Sequence, residues 1–305
     1  MDKKRLTPVV RRKGAPVEKR SVKIGIIGGS GLYQMEMLKK KRAMAVTTPF
    51  GKPSDRLVLG ELDNVPVVFL ARHGQGHTLL PSDINFRANI FAMKKLGVER
   101  ILSISAVGSM REEIVPGQVV LPDQFYDLTK GRKGTFFGDG VVAHVSLAHP
   151  TCPDLAETVY GASEEAGAVI HQGGTYLCME GPAFSTRAES EVHRSWGVSV
   201  IGMTNATEAK LCREAEICYL TIALATDYDC WRRSEEPVST AMVMKTLHAN
   251  VDLAKNILQK TIPKIKTESD CGCRTALRHA LFTPVAYIPK PARKKLGPIL
   301  QKYLS

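Results

Sequence analysis

The chain lacks any uninterrupted apolar segment that approaches the roughly 20 residues needed for a membrane-spanning helix. No apolar core follows its charged first residues, so we expect no secretory signal and a cytoplasmic location. With 305 residues and 44% hydrophobic residues, it can nevertheless bury a large core without disulfides or metals. These properties predict a globular enzyme or binding protein rather than a membrane component.

Paired cysteine spacing is also lacking. The seven cysteines are an odd number, and no C-x-x-C pair of the kind used by structural zinc sites is present. We therefore interpret most of them as small buried hydrophobic residues. Cys271-Gly272-Cys273 leaves two alternatives: two free thiols, as a reducing cytoplasm favours, or a redox-active or structural disulfide.

Acidic residues are scarce at both ends of the chain. The formal net charge is +12, and residues 1–23 and 290–305 account for all of it, with +7 and +5. Short basic arms are common and usually need no partner, so we do not expect nucleic-acid binding. A non-catalytic protein that binds nucleic acid through these arms is the alternative from another functional class. Residues 1–22 are predicted to form a disordered basic arm.

Apolar runs alternate along the chain with segments of helical periodicity. The runs predict strands at 24–27, 57–61, 65–71, 100–106, 175–180, 198–203 and 218–226, the second and third of which form an antiparallel pair. Helices are predicted at 85–96, at 187–196, at 206–215 and from Ser239 to Pro263. This alternation predicts a single α/β domain over residues 23–265, a mixed twisted β-sheet flanked by helices. Residues 266–305 would form a C-terminal extension that ends in a basic helix.

Anion-binding groups follow three of the predicted strands. The Gly28-Gly29-Ser30-Gly31 segment offers backbone amides and a hydroxyl, although a tight turn between strand and helix explains it equally well. Arg72 and His73 follow a second strand, and Ser105-Ala106 ends a third. Ligands of open α/β sheets collect beyond the carboxyl ends of strands, so these residues predict a phosphate site.

Two carboxylates follow a fourth strand. Asp227 and Asp229 occupy alternate positions of a segment predicted to be extended, which points both side chains the same way. Acids in apolar surroundings are destabilising unless the protein uses them. A metal site is the alternative, but no nearby His, Asp or Glu completes a coordination shell.

Longer motifs resemble the trimeric purine-nucleoside phosphorylase family, and within it the methylthioadenosine phosphorylases. The motifs are KIGIIGGSGLY, TPFGKPSD, LARHGQGHTLLPSDINFRANI, REEIVPG, MEGPAFSTRAES, GMTNATEA and ATDYDCW. The resemblance implies a pentosyltransferase that cleaves S-methyl-5′-thioadenosine with phosphate into adenine and 5-methylthioribose 1-phosphate, in purine and methionine salvage. It also implies a homotrimer, and a reaction in which phosphate is a co-substrate and no metal or organic cofactor takes part.

The resemblance assigns roles to individual residues. Phosphate would be held by Ser30, Arg72, His73, Ser105, Ala106 and Thr204. The nucleoside would contact Phe184, Ser185, Met203, Asp227 and Asp229. The 5′ group would lie against Thr240, Val243 and Met244, with His144 contributed by the neighbouring subunit.

The catalytic pair would be Asp227 and Asp229. Asp227 would donate or share a proton with N7 of the purine, which requires that apolar surroundings favour its protonated form. Asp229 would be an accessory carboxylate.

The two aspartates also predict which purine is preferred. A carboxylate accepts a hydrogen bond from the 6-amino group of adenine, whereas the relatives that prefer inosine place an asparagine there. The alternative within the family is a phosphorylase of 6-oxopurine nucleosides: inosine, guanosine or methylthioinosine. Thr240 departs from the aliphatic residue common at its position, which leaves room for adenosine as a substrate.

Overall fold

A computed structural model of the chain describes residues 22–29, 32, 37–232, 240–266 and 271–304. For residues 240–245, 247 and 248 only the backbone is described. The predicted N-terminal arm lies outside the described residues except for Val22, and Ser30 lies outside them as well.

The described residues form eleven strands and seven α-helices. The strands are β1 (Ile24–Gly28), β2 (Lys39–Met44), β3 (Leu57–Leu62), β4 (Val65–Ala71), β5 (Arg100–Ser109), β6 (Val119–Leu121), β7 (Gln124–Asp127), β8 (Ile170–Gln172), β9 (Thr175–Cys178), β10 (Val200–Gly202) and β11 (Cys218–Asp227). The helices are α1 (Phe86–Lys95), α2 (Pro153–Glu165), α3 (Arg187–Ser195), α4 (Asn205–Glu214), α5 (Thr240–Thr261), α6 (Lys290–Lys295) and α7 (Gly297–Leu300).

All eleven strands join one mixed sheet. Its main path runs β2-β3-β4-β1-β5-β10-β9-β7, and β11, β6 and β8 branch from β5. At its centre β4, β1, β5 and β11 are parallel, so their carboxyl ends lie along one edge. β3 and β4 are antiparallel, as the sequence predicted. The prediction of a mixed β-sheet flanked by helices is therefore confirmed.

The central strands are buried on both faces. Every residue of β1 and β11 is buried, as expected for runs rich in isoleucine, leucine and alanine that lie between helical layers. One apolar cluster packs α1 and α4 on one face, and another packs α2 and α5 on the other. This layering holds the strand ends, and the side chains that follow them, in fixed positions.

The seven predicted strands and four predicted helices are confirmed within three residues at the ends that the structure describes. The sequence missed β2, β6, β7, β8 and α2. β2 is a largely exposed strand of basic residues, and β6 to β8 have only three or four residues each, so they carry little periodic signal. The helix start that the sequence predicts at Ser239 lies outside the described residues.

The C-terminal extension packs onto the body instead of projecting from it. Leu277, Leu296 and Leu300 are buried in the same cluster as α1 and α4. The extension consists of turns and short helices, because prolines interrupt it, and α6 is the basic helix predicted near its end. In the part of the chain that the structure describes, no helix is both long and apolar enough to cross a membrane.

Candidate active site

A cavity of about 700 Å³ opens at the carboxyl ends of β1, β4, β5 and β11. The predicted site residues that line it are Arg72, His73, Ser105, Ala106, Phe184, Met203, Thr204, Asp227 and Asp229. They come from segments spread over more than half of the chain, so the fold brings the predicted phosphate and base residues to one place.

Arg72 directly follows β4 and is fully buried. Its Nε and Nη2 donate to the carboxylate of Glu208, its Nη1 to the carbonyl oxygen of Ile104 at 3.0 Å, and its Nη2 also to Ser103. Burial acts to lower the pKa of Arg72, but Glu208 outweighs it and raises that pKa above its ordinary value. These bonds leave one guanidinium hydrogen, on Nη1, for a ligand.

Glu208 is the centre of a buried polar network that the sequence analysis did not predict. Its Oε2 accepts hydrogen bonds from Ser103 at 2.6 Å and from the Tyr219 hydroxyl at 2.9 Å. Asn205 joins the same group through bonds to Ser103, Tyr219 and Thr221. Glu208 and Asn205 both lie in the NATEA motif, but their position on the inner face of α4 is visible only in the fold.

His73 follows Arg72, and its ring is neutral. Burial, and then the Arg72 cation, lower its pKa from 6.5 to about 4, so the ring is neutral at pH 7. Its Nδ1 lies 2.9 Å from the Leu79 carbonyl oxygen, which can only accept, so Nδ1 carries the hydrogen and Nε2 is an acceptor. The neutral ring therefore offers a phosphate an acceptor for a hydrogen bond and adds no second positive charge beside Arg72.

Backbone completes this end of the cavity. A Cβ atom at Gly29 would lie 2.8 Å from Arg72 Nη1 and 2.8 Å from the Ile104 carbonyl oxygen, so only glycine fits there. Ser105 and Ala106 lie on β5, and Thr204 is the residue before α4. The N-terminus of that helix therefore faces the same end of the cavity, where its dipole favours an anion.

Asp227 and Asp229 lie together at the end of β11, but not on an extended segment as predicted. Asp227 is the last residue of the strand, and Asp229 has φ of 51° in the turn that follows. The Asp229 amide donates to Asp227 Oδ1 at 2.8 Å, a local bond that bends the chain after the strand. Both carboxylates are buried, and both still line the cavity because the turn brings Asp229 back toward it.

Apolar side chains form one wall of the cavity. Phe184 is 44% exposed and Met203 is partly buried, and both face the cavity. Ser185 is not among the described lining residues, but its carbonyl oxygen accepts from Cys230, next to Asp229, at 3.2 Å. Arg132 fixes this wall by donating to the carbonyl oxygens of Met203 and Glu180.

The predicted residues of the 5′ pocket lie in two parts of the fold. Thr240, Val243 and Met244 lie on the first turns of α5, but their side chains are outside the described part. Ser30 is likewise outside it. His144 is exposed, contacts the ring of Phe282 with centroids 5.9 Å apart, and is not among the described residues that line the cavity.

Known proteins resemble the chain over most of its length. Residues 23–263 match the model of the Phosphorylase superfamily. The chain belongs to this phosphorylase superfamily. A phosphorylase relative from Geobacter sulfurreducens, S-methyl-5′-thioadenosine phosphorylase, is 58% identical over 282 residues, which cover 92% of this chain and 99% of the relative.

Solved phosphorylase structures have the same fold. A methylthioadenosine phosphorylase from an Antarctic soil metagenomic library is 48% identical, covers 92% of this chain and 99% of its own, and has a TM-score of 0.87. The methylthioadenosine phosphorylase of Schistosoma mansoni in complex with adenine is 38% identical, covers 81% of this chain and 93% of its own, and has a TM-score of 0.78.

Proposed function

We propose that this phosphorylase cleaves S-methyl-5′-thioadenosine with inorganic phosphate into adenine and 5-methylthioribose 1-phosphate. The observation that carries the proposal is one cavity that is lined by anion-binding groups, by paired aspartates and by apolar side chains. Sequence relatives of 58% and 51% identity, which carry the name of this activity, support it.

The anion end of the cavity holds the phosphate. Arg72 supplies one hydrogen and a positive field, Thr204 and Ser105 supply hydroxyls, and the amides around Gly29 supply further donors. Nε2 of the neutral His73 accepts a hydrogen bond from the P–OH group of a monohydrogen phosphate. This arrangement positions a phosphate oxygen for attack on the anomeric carbon of the sugar, and positioning supplies much of the acceleration.

The aspartate end stabilises the departing purine. As the new C1′–O bond forms, the C1′–N9 bond breaks and its electron pair passes to the base. Asp227 gives a proton to N7, so that adenine leaves as a neutral molecule. The hydrogen phosphate loses one proton as it becomes the sugar phosphate, and that proton restores the protonated form of Asp227, so the reaction balances. Asp229 is the accessory carboxylate at the edge of the base.

Hydrogen bonds from neighbouring residues orient the Asp227 carboxyl group. Thr226 Oγ1 lies 2.7 Å from Asp227 Oδ2 and 3.2 Å from the Val107 carbonyl oxygen. The Thr226 hydroxyl donates to Oδ2, and the Asp229 amide donates to Oδ1 at 2.8 Å, so the carboxyl group is held in a fixed orientation at the cavity.

The aspartates also select a 6-aminopurine. A carboxylate accepts from the 6-amino group but faces the oxygen of a 6-oxopurine without a hydrogen bond, a mismatch worth about 1–3 kcal/mol. Phosphorolysis of inosine, guanosine or methylthioinosine is the second candidate within the same chemistry. Because it rests on the same cavity, a comparison of substrates separates the two.

A homotrimer is part of the proposal, with His144 reaching the 5′ group of the substrate in an adjacent subunit. The exposed position of His144, beside a Phe282 that is 77% exposed, supports an interface at this surface. Thr240, Val243 and Met244 complete the 5′ pocket. We expect Thr240 to admit adenosine as a slower substrate. Sedimentation of the full chain tests the trimer.

The reaction needs no metal or organic cofactor under this proposal, because phosphate is the nucleophile and Asp227 the proton donor. Its products would enter purine and methionine salvage, and a cytoplasmic location belongs to the same proposal. Fractionation of cells that express the chain tests the location.

The decisive experiment incubates the purified chain with methylthioadenosine, with and without phosphate, and measures adenine and the sugar phosphate by chromatography. We expect adenine only when phosphate is present, in equal amount to the sugar phosphate. Adenosine and inosine are run in parallel. Faster turnover of inosine would replace the proposal by the 6-oxopurine alternative, and adenine release without phosphate would contradict it.

A further inference from the structure

Four cysteines form a compact cluster at the edge of the sheet where β11 begins, opposite the edge that holds the cavity. They are Cys152, Cys218, Cys271 and Cys273, and their sulfur atoms all lie within 4.8 Å of one another. None of these four is in a disulfide, and the sulfurs of Cys218 and Cys271 are 3.2 Å apart, against about 2 Å for a bonded pair. The fold thus groups residues whose spacing along the chain predicts no site.

Three separate parts of the fold supply the cluster. Cys152 immediately precedes α2, and its amide donates to the Tyr219 carbonyl oxygen at 2.9 Å. Cys218 is the first residue of β11. Cys271 and Cys273 come from the C-terminal extension, where a short 3-10 helix at Gly272–Thr275 folds the C-x-C segment over this strand start.

The position of the cluster separates it from the substrate. β11 begins at Cys218 and ends at Asp227, so about 30 Å of extended strand lies between the cluster and the aspartate end of the cavity. Cys152, Cys218 and Cys273 are buried and Cys271 is partly buried. The catalytic scheme uses none of these thiols.

The geometry suits a tetrahedral metal ion. Zn²⁺ bound by four thiolates has Zn–S bonds of about 2.3 Å, which places neighbouring sulfurs about 3.8 Å apart. That value falls between the 3.2 Å of Cys218 and Cys271 and the 4.8 Å limit of the whole cluster. Small side-chain rotations are therefore enough to reach the tetrahedron.

Nearby groups offset the negative charge of such a site. Four thiolates and one Zn²⁺ carry a net charge of −2, which needs compensation in a buried position. The Leu155 amide, in the first turn of α2, donates to the sulfur of Cys152. The guanidinium of Arg213 acts electrostatically on the sulfur of Cys273.

We propose that Cys152, Cys218, Cys271 and Cys273 bind one structural Zn²⁺ that fastens the C-terminal extension to the starts of α2 and β11. Four thiolates fill the coordination sphere and leave no position for water or substrate, so the ion does not act in catalysis. Soft thiolate ligands in tetrahedral arrangement favour Zn²⁺ over harder ions. The inference is independent of which nucleoside the cavity takes.

The first test measures metal in the full chain, purified anaerobically without chelators or metal-affinity resins. Mass spectrometry of the elements should find one zinc per chain, and a mercurial thiol reagent should release it while lowering Tm. Zinc should fall to the buffer background in Cys273→Ser and in Cys152→Ser. Cys212→Ser is the matched control, since Cys212 is buried on α4 outside the cluster, and it should keep its zinc.

A second test needs no variant and so does not depend on mutant folding. Replacing the metal by Co²⁺ should give the intense sulfur-to-metal charge-transfer bands and the visible d–d bands of a tetrahedral four-thiolate site. Folded, metal-free protein in which the four cluster cysteines are free thiols would overturn the proposal. Two disulfides among these cysteines in the anaerobic protein, or iron in place of zinc, would overturn it equally.

Discussion

The carboxylate of Glu208 pairs with the guanidinium of Arg72 at 2.5 Å, and both side chains are almost completely buried. The pair joins the interior of α4 to the end of β4, where Arg72 enters the cavity. Glu208 therefore orients Arg72, which is the one arginine or lysine among the described residues that line the cavity. Its own hydrogen bonds to Ser103 and Tyr219 fix it in turn.

Replacing Glu208 by Gln should destabilise the protein strongly. The variant leaves the buried Arg72 charge without a counter-charge, which costs about 3–5 kcal/mol. Urea unfolding measures the loss, and KM for phosphate in the folded variant should rise as Arg72 reorients. The control is Glu112→Gln, because Glu112 pairs with Arg194 on the surface at 3.6 Å and its loss should cost about 1 kcal/mol or less. Equal stability of the two variants would contradict the role of Glu208.

The sequence predicts those parts of the site that follow strands. Arg72, Ser105 and Asp227 each lie at or after the end of a long apolar run, and parallel strands bring such ends together. Glu208 escaped prediction because it is charged and lies on a helix, where the usual interpretation is a solvated face. Only tertiary packing turns that face toward the sheet.

The same limit applies to the cysteines and to the turn after β11. Cys152 and Cys218 are separated from the C-x-C segment by long stretches of chain, so no local spacing connects them. Asp229 was expected to continue the strand, but the hydrogen bond of its amide to Asp227 ends it. Such a bond competes with regular structure and has only a weak sequence signal.

Asp227→Asn should change the substrate preference more than the affinity for phosphate. The amide loses the transferable proton, so turnover of methylthioadenosine should fall steeply with KM for phosphate nearly unchanged. The amide can also donate to a 6-oxo group, so the ratio of kcat/KM for methylthioadenosine to that for inosine should fall tenfold or more, as about 1–3 kcal/mol predicts. Steady-state kinetics on both nucleosides measure this.

The control for Asp227 is Asp252→Asn on the exposed face of α5, where the side chain is 82% exposed. That variant should keep the parent rates and the parent ratio. Wild-type turnover in Asp227→Asn would contradict the assignment of Asp227 as the proton donor.

Acid should destabilise the protein through His73. The pKa of His73 is lowered to about 4 by burial and by Arg72, from 6.5 in the unfolded chain. Between these values the unfolded state binds a proton that the folded state does not, so the free energy of unfolding falls as pH drops from about 6.5 to about 4. Above pH 6.5 both states are neutral there and this contribution is constant.

Urea unfolding of the parent and of His73→Gln at several pH values measures that contribution. The variant should lose part of the slope between pH 6.5 and 4, while His149→Gln, at an exposed position, should keep the parent slope. Identical slopes in the parent and in His73→Gln would show that His73 titrates alike in both states.

Gly29→Ala should damage the phosphate end of the cavity specifically. The added methyl would lie 2.8 Å from Arg72 Nη1 and 2.8 Å from the Ile104 carbonyl oxygen, and the latter is sheet backbone that cannot move aside. The overpacking costs about 1–3 kcal/mol and displaces Arg72, so KM for phosphate should rise about tenfold. Gly161→Ala on α2, where a Cβ meets nothing within 4 Å, should instead stabilise the protein by about 0.5–1 kcal/mol with unchanged kinetics. Phosphate kinetics of Gly29→Ala that match those of Gly161→Ala would mean that this backbone lies too far from the phosphate to affect it.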